Sequence, residues 1–171
     1  MPIPGEVALG PYEQLDRRAY IDRKPDPPTE WRTPLELLRW ATLRFGPFDL
    51  DPAANCGRHG TGPANYLCER YYCLDCGDDG LLRSWESRRV FLNPPYDKSL
   101  KDWVHKASLR EAYVAAVLLP VRTGRSWWCE YVDTADHLIF LPGRLTFGGA
   151  ENSAPFDSAL AIYWKGGSWR E

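Results

Sequence analysis

Apolar positions along the chain alternate between a helical spacing and short strand-like runs. Leu35, Leu38, Thr42 and Phe45 recur at helical spacing behind Thr33-Pro34-Leu35-Glu36. That tetrapeptide reads as a helix start: Thr at the N-cap, Pro at the first helical position, and Glu three residues after the cap to close a capping box. Gly46-Pro47 stops the pattern, so the spacing predicts a helix over about 34 to 45. Phe48 to Asp51 then reads as a short strand ended by Pro52. Arg89 to Leu92 is a second strand, and Ser99 with Asp102 opens a helix through Trp103, Val104 and Ala107. Ala112 to Leu119 is a nearly uninterrupted apolar run of the kind that fills a central strand buried on both faces. Arg125 to Tyr131 reads as a helix, and His137 to Leu141, Arg144 to Phe147 and Ser158 to Trp164 as further strands. Alternating helices and strands predict an α/β domain with a mainly parallel sheet and a C-terminal antiparallel hairpin.

Two stretches fall outside this rhythm. Residues 1 to 28 hold six of the chain's 15 prolines and a charged middle; they read as a Pro-rich N-terminal arm with a short helix around Tyr12 to Tyr20. Residues 29 to 171 then form one domain, a size that buries roughly 70% of the unfolded surface. Within it, 55 to 78 is a Gly- and Cys-rich loop with little periodicity, and a loop that long in a compact domain is usually functional or held by something.

Charge and composition narrow the partners. Lys and Arg total 21 against 23 Asp and Glu, a net charge of −2, so nucleic-acid contacts, if made, are local. With no long apolar stretch and no charged-then-apolar start, the expectation is a soluble, cytoplasmic protein without membrane association. Five cysteines, four of them between Cys56 and Cys76, favour thiols or metal over a disulfide framework in such a chain.

The candidate chemistry lies where strands stop at polar residues. Val90-Phe91-Leu92 runs into Asn93-Pro94-Pro95-Tyr96. Two prolines donate nothing to a sheet ladder and fix their own φ, so the loop is stiff. A side-chain amide oxygen and a Pro carbonyl on such a loop make an acceptor pair for an NH₂ group; a plain Asn-Pro turn is the competing reading. Ligands of open α/β sheets bind outside the carboxyl ends of the strands, which is where both Asp51 and Asn93 fall.

With both corners in hand, the chain resembles the small phage-type (Dam-like) S-adenosylmethionine-dependent DNA N6-adenine methyltransferases. The resemblance runs over about residues 30 to 164. It is carried by Glu30-Trp31-Arg32-Thr33-Pro34, Leu50-Asp51-Pro52-Ala53-Ala54, Asp78-Asp79-Gly80-Leu81 with Trp85, Asn93-Pro94-Pro95-Tyr96, Leu118 to Thr123, and Gly143 to Gly149 followed by Asn152 to Phe156. It departs from the family where a Gly-rich turn is replaced by Ala53-Ala54-Asn55. The resemblance implies a Rossmann-like methyltransferase fold, methyl transfer to the adenine N6 amine of DNA, and base flipping. Asn93, Pro94, Pro95 and Tyr96 would be the catalytic set. Trp31, Thr33, Asp49, Asp51, Pro52, Ala53, Asp79 and Leu81 would hold S-adenosylmethionine. Phe147 is similar to a second base-stacking position, though it equally suits a hairpin core. Arg122, Arg125, Arg144, Lys98 and Lys101 are candidate phosphate contacts. With so little chain left over for target recognition, low specificity or a very short site is expected, with action in the host cytoplasm if the protein is phage-encoded.

The cysteine cluster keeps a second chemistry open. Cys56-x₂-His59 and Cys73-x₂-Cys76 have the paired spacing of a tetrahedral structural zinc site, with Cys68 as an alternate ligand. On that basis a zinc-stabilised, non-catalytic nucleic-acid-binding module competes with the enzyme. An N4-cytosine amino-methyltransferase is a further alternative, because a similar amine suits the same acceptor pair.

Overall fold

In the computed structural model the described residues are 32–54, 68–148 and 150–166. The N-terminal arm, Trp31, Cys56 and His59 lie outside them. In chain order the elements are α1 (Leu35–Phe45), β1 (Leu50–Asp51), β2 (Arg70–Tyr71), a 3₁₀ turn (Leu74–Cys76), β3 (Arg89–Leu92), α2 (Leu100–Ser108), β4 (Val114–Pro120), α3 (Ser126–Tyr131), a second 3₁₀ turn (Val132–Thr134), β5 (His137–Phe140) and β6 (Ser158–Trp164).

The six strands form one sheet in the order β2-β1-β3-β4-β6-β5. β2, β1, β3 and β4 run parallel, whereas β6 pairs antiparallel with β4 on one side and β5 on the other. The expected α/β class and mixed sheet are therefore present. β5 and β6 are antiparallel neighbours, but the long segment 141–157 joins them, and β6 is inserted beside β4 instead of extending the sheet.

Strand alternation sorts the core into two layers. Phe91, Val114, Ala116, Leu118, Leu160 and Ile162 pack under Leu37, Leu38, Ala41 and Phe45 of α1. Val90, Leu92, Ala115, Val117, Leu119, Ala159 and Ala161 face Leu100, Trp103, Val104 and Ala107 of α2, with Trp128 beyond. β4 and β6 are buried along their whole lengths, which is why their residues read as continuous apolar runs instead of an alternation.

Three expectations need correction. The capping box does not form: Pro34, with ψ 131°, occupies the cap position without a side-chain cap bond, and its carbonyl accepts the Leu38 N–H at 3.1 Å. α1 thus begins at Leu35, and Glu36 meets Arg39 at 3.4 Å. Arg144 to Phe147 is not a strand; its alternation instead sends Leu145 and Phe147 into the core, and its ties include the Leu145 carbonyl to the Ala154 N–H, the Phe147 carbonyl to the Ala150 N–H, and the isolated bridge from Gly148 to Arg32. Conversely, the nominal loop contains β2, whose short pairing beside β1 leaves no apolar signature because both its residues are exposed.

Candidate active site

Because β1, β3 and β4 are parallel, Asp51, Asn93 and Val121 leave the sheet at the same edge. Leu50 is in register with Val90, and Leu92 with Val117. Leu50, Val90 and Leu92 face α2, so alternation puts Asp51 and, one residue past β3, Asn93 on the α1 face. The Cys68 thiol supports this for Asp51: it belongs to the α1 layer, and its pKa is raised first by burial and then by the Asp51 and Asp49 carboxylates.

Asp51 is 5% exposed. Its carboxylate accepts the Ala53 N–H at 3.1 Å, folding Pro52 into a tight turn. Burial pushes its pKa up to about 7 against the opposing pull of that one bond. An acid so placed is under-compensated, and a cation beside it would restore the ionised form.

Asp79 builds the matching corner. Its carboxylate accepts the Leu81 N–H at 2.9 Å, and the resulting turn presses Gly80 against Pro52. A Cβ on Gly80 would collide with the Pro52 carbonyl and come within 3.1 Å of the Trp103 ring. Trp85 holds the turn from behind: its Nε1–H donates to the Gly80 carbonyl at 2.9 Å and its ring stacks on Trp103. Glu111 completes the support by accepting the Ser84 hydroxyl at 2.6 Å and the Trp85 N–H at 2.8 Å. Glu111, distant in sequence from Trp85, meets it only through the fold, so no local motif announces that support.

Beyond Asn93, which is partly buried, Pro94 is buried and Pro95 exposed. Tyr96 turns back over β4, where its hydroxyl donates to the Leu118 carbonyl at 3.4 Å. Its ring packs edge-on to Phe147 and Phe156, with centroids 6.1 and 5.5 Å away. Burial raises its pKa against the opposing charge of Arg122. Phe147 is 1% exposed; in this arrangement it backs Tyr96 and offers no open face of its own.

The other candidate residues divide by location. Arg122 and Arg125 are exposed just past β4, and Lys98 and Lys101 are exposed just past the Tyr96 loop; Arg144 is exposed after β5. Asp49 is engaged at the opposite end of β3, where it accepts the Arg89 N–H at 2.8 Å and pairs with Arg88 at 3.6 Å. Thr33 precedes α1 and bears no cap bond. Of the proposed zinc set, Cys68 and Cys73 are buried and Cys76 is exposed, and among the described residues no group of three or more His, Cys, Asp or Glu could hold a metal ion. Among the described residues no helix is long and apolar enough to cross a membrane.

A family model described as DNA N-6-adenine-methyltransferase (Dam) matches residues 24–165. The chain belongs to this Dam family. A curated relative, the "DNA N-6-adenine-methyltransferase" of Escherichia phage T1, is 30% identical over 119 residues, which cover 68% of this chain and 46% of the relative. The chain thus spans about half the length of the curated relative it matches. The Dam match takes in both acidic corners, the Asn93 loop and β6, so the elements that form the carboxyl edge of the sheet all lie inside the family region.

Proposed function

We propose that this Dam-family chain is an S-adenosylmethionine-dependent DNA methyltransferase acting on the N6 amine of adenine. The observation that carries the reading is the position of Asn93-Pro94-Pro95-Tyr96: it leaves β3 at the sheet's carboxyl edge, on the face that holds the buried Asp51 carboxyl. The mixed sheet, with three layers and its site at the carboxyl edge, fits a Rossmann-like methyltransferase fold.

The residues suit the cofactor. Among the described residues no cation pairs with the Asp51 carboxyl, and an α-ammonium group would supply one. Pro52, Ala53, Asp79 and Leu81 line the two facing turns that Gly80 allows to close. When bound, S-adenosylmethionine supplies an electrophilic sulfonium methyl group.

The remaining work falls to the chain. The adenine amine is a weak nucleophile because its lone pair is conjugated into the ring. Asn93 Oδ1 and the Pro94 carbonyl accept its two hydrogens, favour a tetrahedral nitrogen and turn the lone pair outward. This is positioning by fixed dipoles on a loop that two prolines keep stiff. A strong base is unnecessary, because the amine becomes acidic as it gains the methyl group. Since a paired base is out of reach, the adenine is extruded from the duplex and rests against Tyr96, which Phe147 and Phe156 brace. Arg122, Arg125, Lys98 and Arg144 meet the flanking phosphates. If phage-encoded, the enzyme works in the host cytoplasm.

Mapping of modified bases in DNA from cells that lack other methyltransferases and express this chain tests the reading. N6-methyladenine that disappears with Asn93→Ala is the expected result; modified cytosine, or unmodified DNA, overturns it.

A further inference from the structure

Ser158 is the first residue of β6 and is fully buried, yet its hydroxyl has no hydrogen-bond partner among the described residues. A buried hydroxyl left this way costs free energy, so its place matters. β6 is antiparallel to β4, with Ser158 opposite Pro120 and Leu160 opposite Leu118. Leu160 and Ile162 lie in the α1 layer, and alternation puts the Ser158 side chain on that same face. It therefore stands at the carboxyl edge, on the face that carries Asn93 and Asp51. Tyr96, held at the Leu118 carbonyl, and Phe156, two residues before Ser158, flank this part of the edge.

We infer that Ser158 is a specificity residue that donates its hydroxyl proton to N3 of the target adenine. The inference rests on the adenine-N6 reading above. β3 and β6 are separated by β4 alone, and continuing the register puts Asn93 level with Leu118 and Leu160, two residues along β6 from Ser158, so the two stand two strand spacings across and about 7 Å along, about 12 Å apart. Together with the two side chains, an adenine with its amine on Asn93 and a hydrogen bond of about 2.9 Å at each end spans that gap, because N3 lies across the six-membered ring from the carbon that bears the amine. Cytosine does not complete the same bridge. The atom across its ring from the amine-bearing carbon is N1, which carries the sugar and has no lone pair to offer. Ser158 thus separates two bases that present the same NH₂ to Asn93. On the bound base the hydroxyl gains the partner it lacks.

The test is a cycle of enzyme and substrate variants, using duplexes of one sequence with adenine, 3-deazaadenine or 7-deazaadenine. The wild type should lose about tenfold in kcat/KM on 3-deazaadenine relative to 7-deazaadenine. Ser158→Ala should melt no lower than the wild type, lose about tenfold on adenine and treat the two analogues alike. A Ser158→Ala enzyme that keeps full activity, or that still discriminates against 3-deazaadenine, overturns the assignment. Should that variant fail to fold, the wild type alone decides: equal rates on both analogues overturn it. A wild type that methylates cytosine or no base at all instead removes the adenine-N6 reading on which the assignment rests.

Discussion

Gly80 and Pro52 are in contact at a point where no side chain fits: a Cβ on Gly80 would collide with the Pro52 carbonyl oxygen and lie 2.8 Å from its carbon. Two residues far apart in the chain thereby bring the Asp51 and Asp79 turns together.

Gly80→Ala should therefore cost about 1–3 kcal/mol of stability through overpacking and weaken cofactor binding by spreading the two turns. Gly124→Ala, where an added Cβ meets nothing within 4 Å, should leave the melting temperature unchanged. Melting curves with and without cofactor, together with calorimetric titration, check both. A Gly80→Ala protein as stable as the wild type would mean that the turns are not in register as described.

The Asp51 carboxyl links folding to pH. Its native pKa of about 7 lies above the ordinary value of 3.8, so the native state binds the extra proton. The stability this provides is complete below about pH 4 and is lost as pH rises through 7. Each pKa unit is worth about 1.4 kcal/mol, which makes the effect on the order of 4 kcal/mol. Asp51→Asn should accordingly be more stable than the wild type at pH 8, with the advantage fading toward pH 4. Cofactor affinity should rise with pH through about 7 in the wild type and stay flat and weak in the variant.

Tyr96 is expected to act through its ring. Its hydroxyl bond to Leu118 is long at 3.4 Å, so Tyr96→Phe should change kcat/KM by less than about threefold. On the proposed reading Tyr96→Ala would remove the face against which the base rests, a stacking contribution of about 1–3 kcal/mol, and should lower kcat/KM about ten- to a hundredfold. Equal losses in both variants would assign the role to the hydroxyl.

The exposed arginines after β4 predict salt-dependent binding despite the net negative charge. Arg122→Ala and Arg125→Ala should each flatten the dependence of DNA affinity on salt by about one unit of log–log slope, irrespective of DNA sequence. An unchanged slope in a filter or fluorescence titration would move the phosphate contacts elsewhere.

Much of the sheet was legible because burial leaves a local mark. The apolar runs of β4 and β6 and the Gly46-Pro47 stop of α1 say where elements lie whatever their neighbours. The residues of Arg144 to Phe147 carry the same alternation, but what the pattern reflects there is Leu145 and Phe147 dipping into the core from an irregular segment. Thr33 has the chemistry of a cap, yet Pro34 takes the position because its carbonyl, not the Thr33 side chain, meets the helix. Asp51 and Asn93 were readable as strand ends, and their common face follows once the register is known. The Gly80 contact, the Glu111 support of Trp85 and the buried Ser158 hydroxyl depend on pairings across the fold, which neither spacing nor composition records. Asp49 shows the converse: two residues from Asp51, it resembles a second site carboxylate but spends its hydrogen bond on the start of β3.

Methyl transfer to adenine N6 is tested most directly by nucleoside analysis of unmethylated DNA incubated with the purified protein and methyl-tritiated S-adenosylmethionine. Label should appear in N6-methyldeoxyadenosine, strongly reduced by Asn93→Ala while calorimetric cofactor affinity stays nearly intact. Label in N4-methyldeoxycytidine, or no transfer by a protein that binds DNA but not the cofactor, would contradict it.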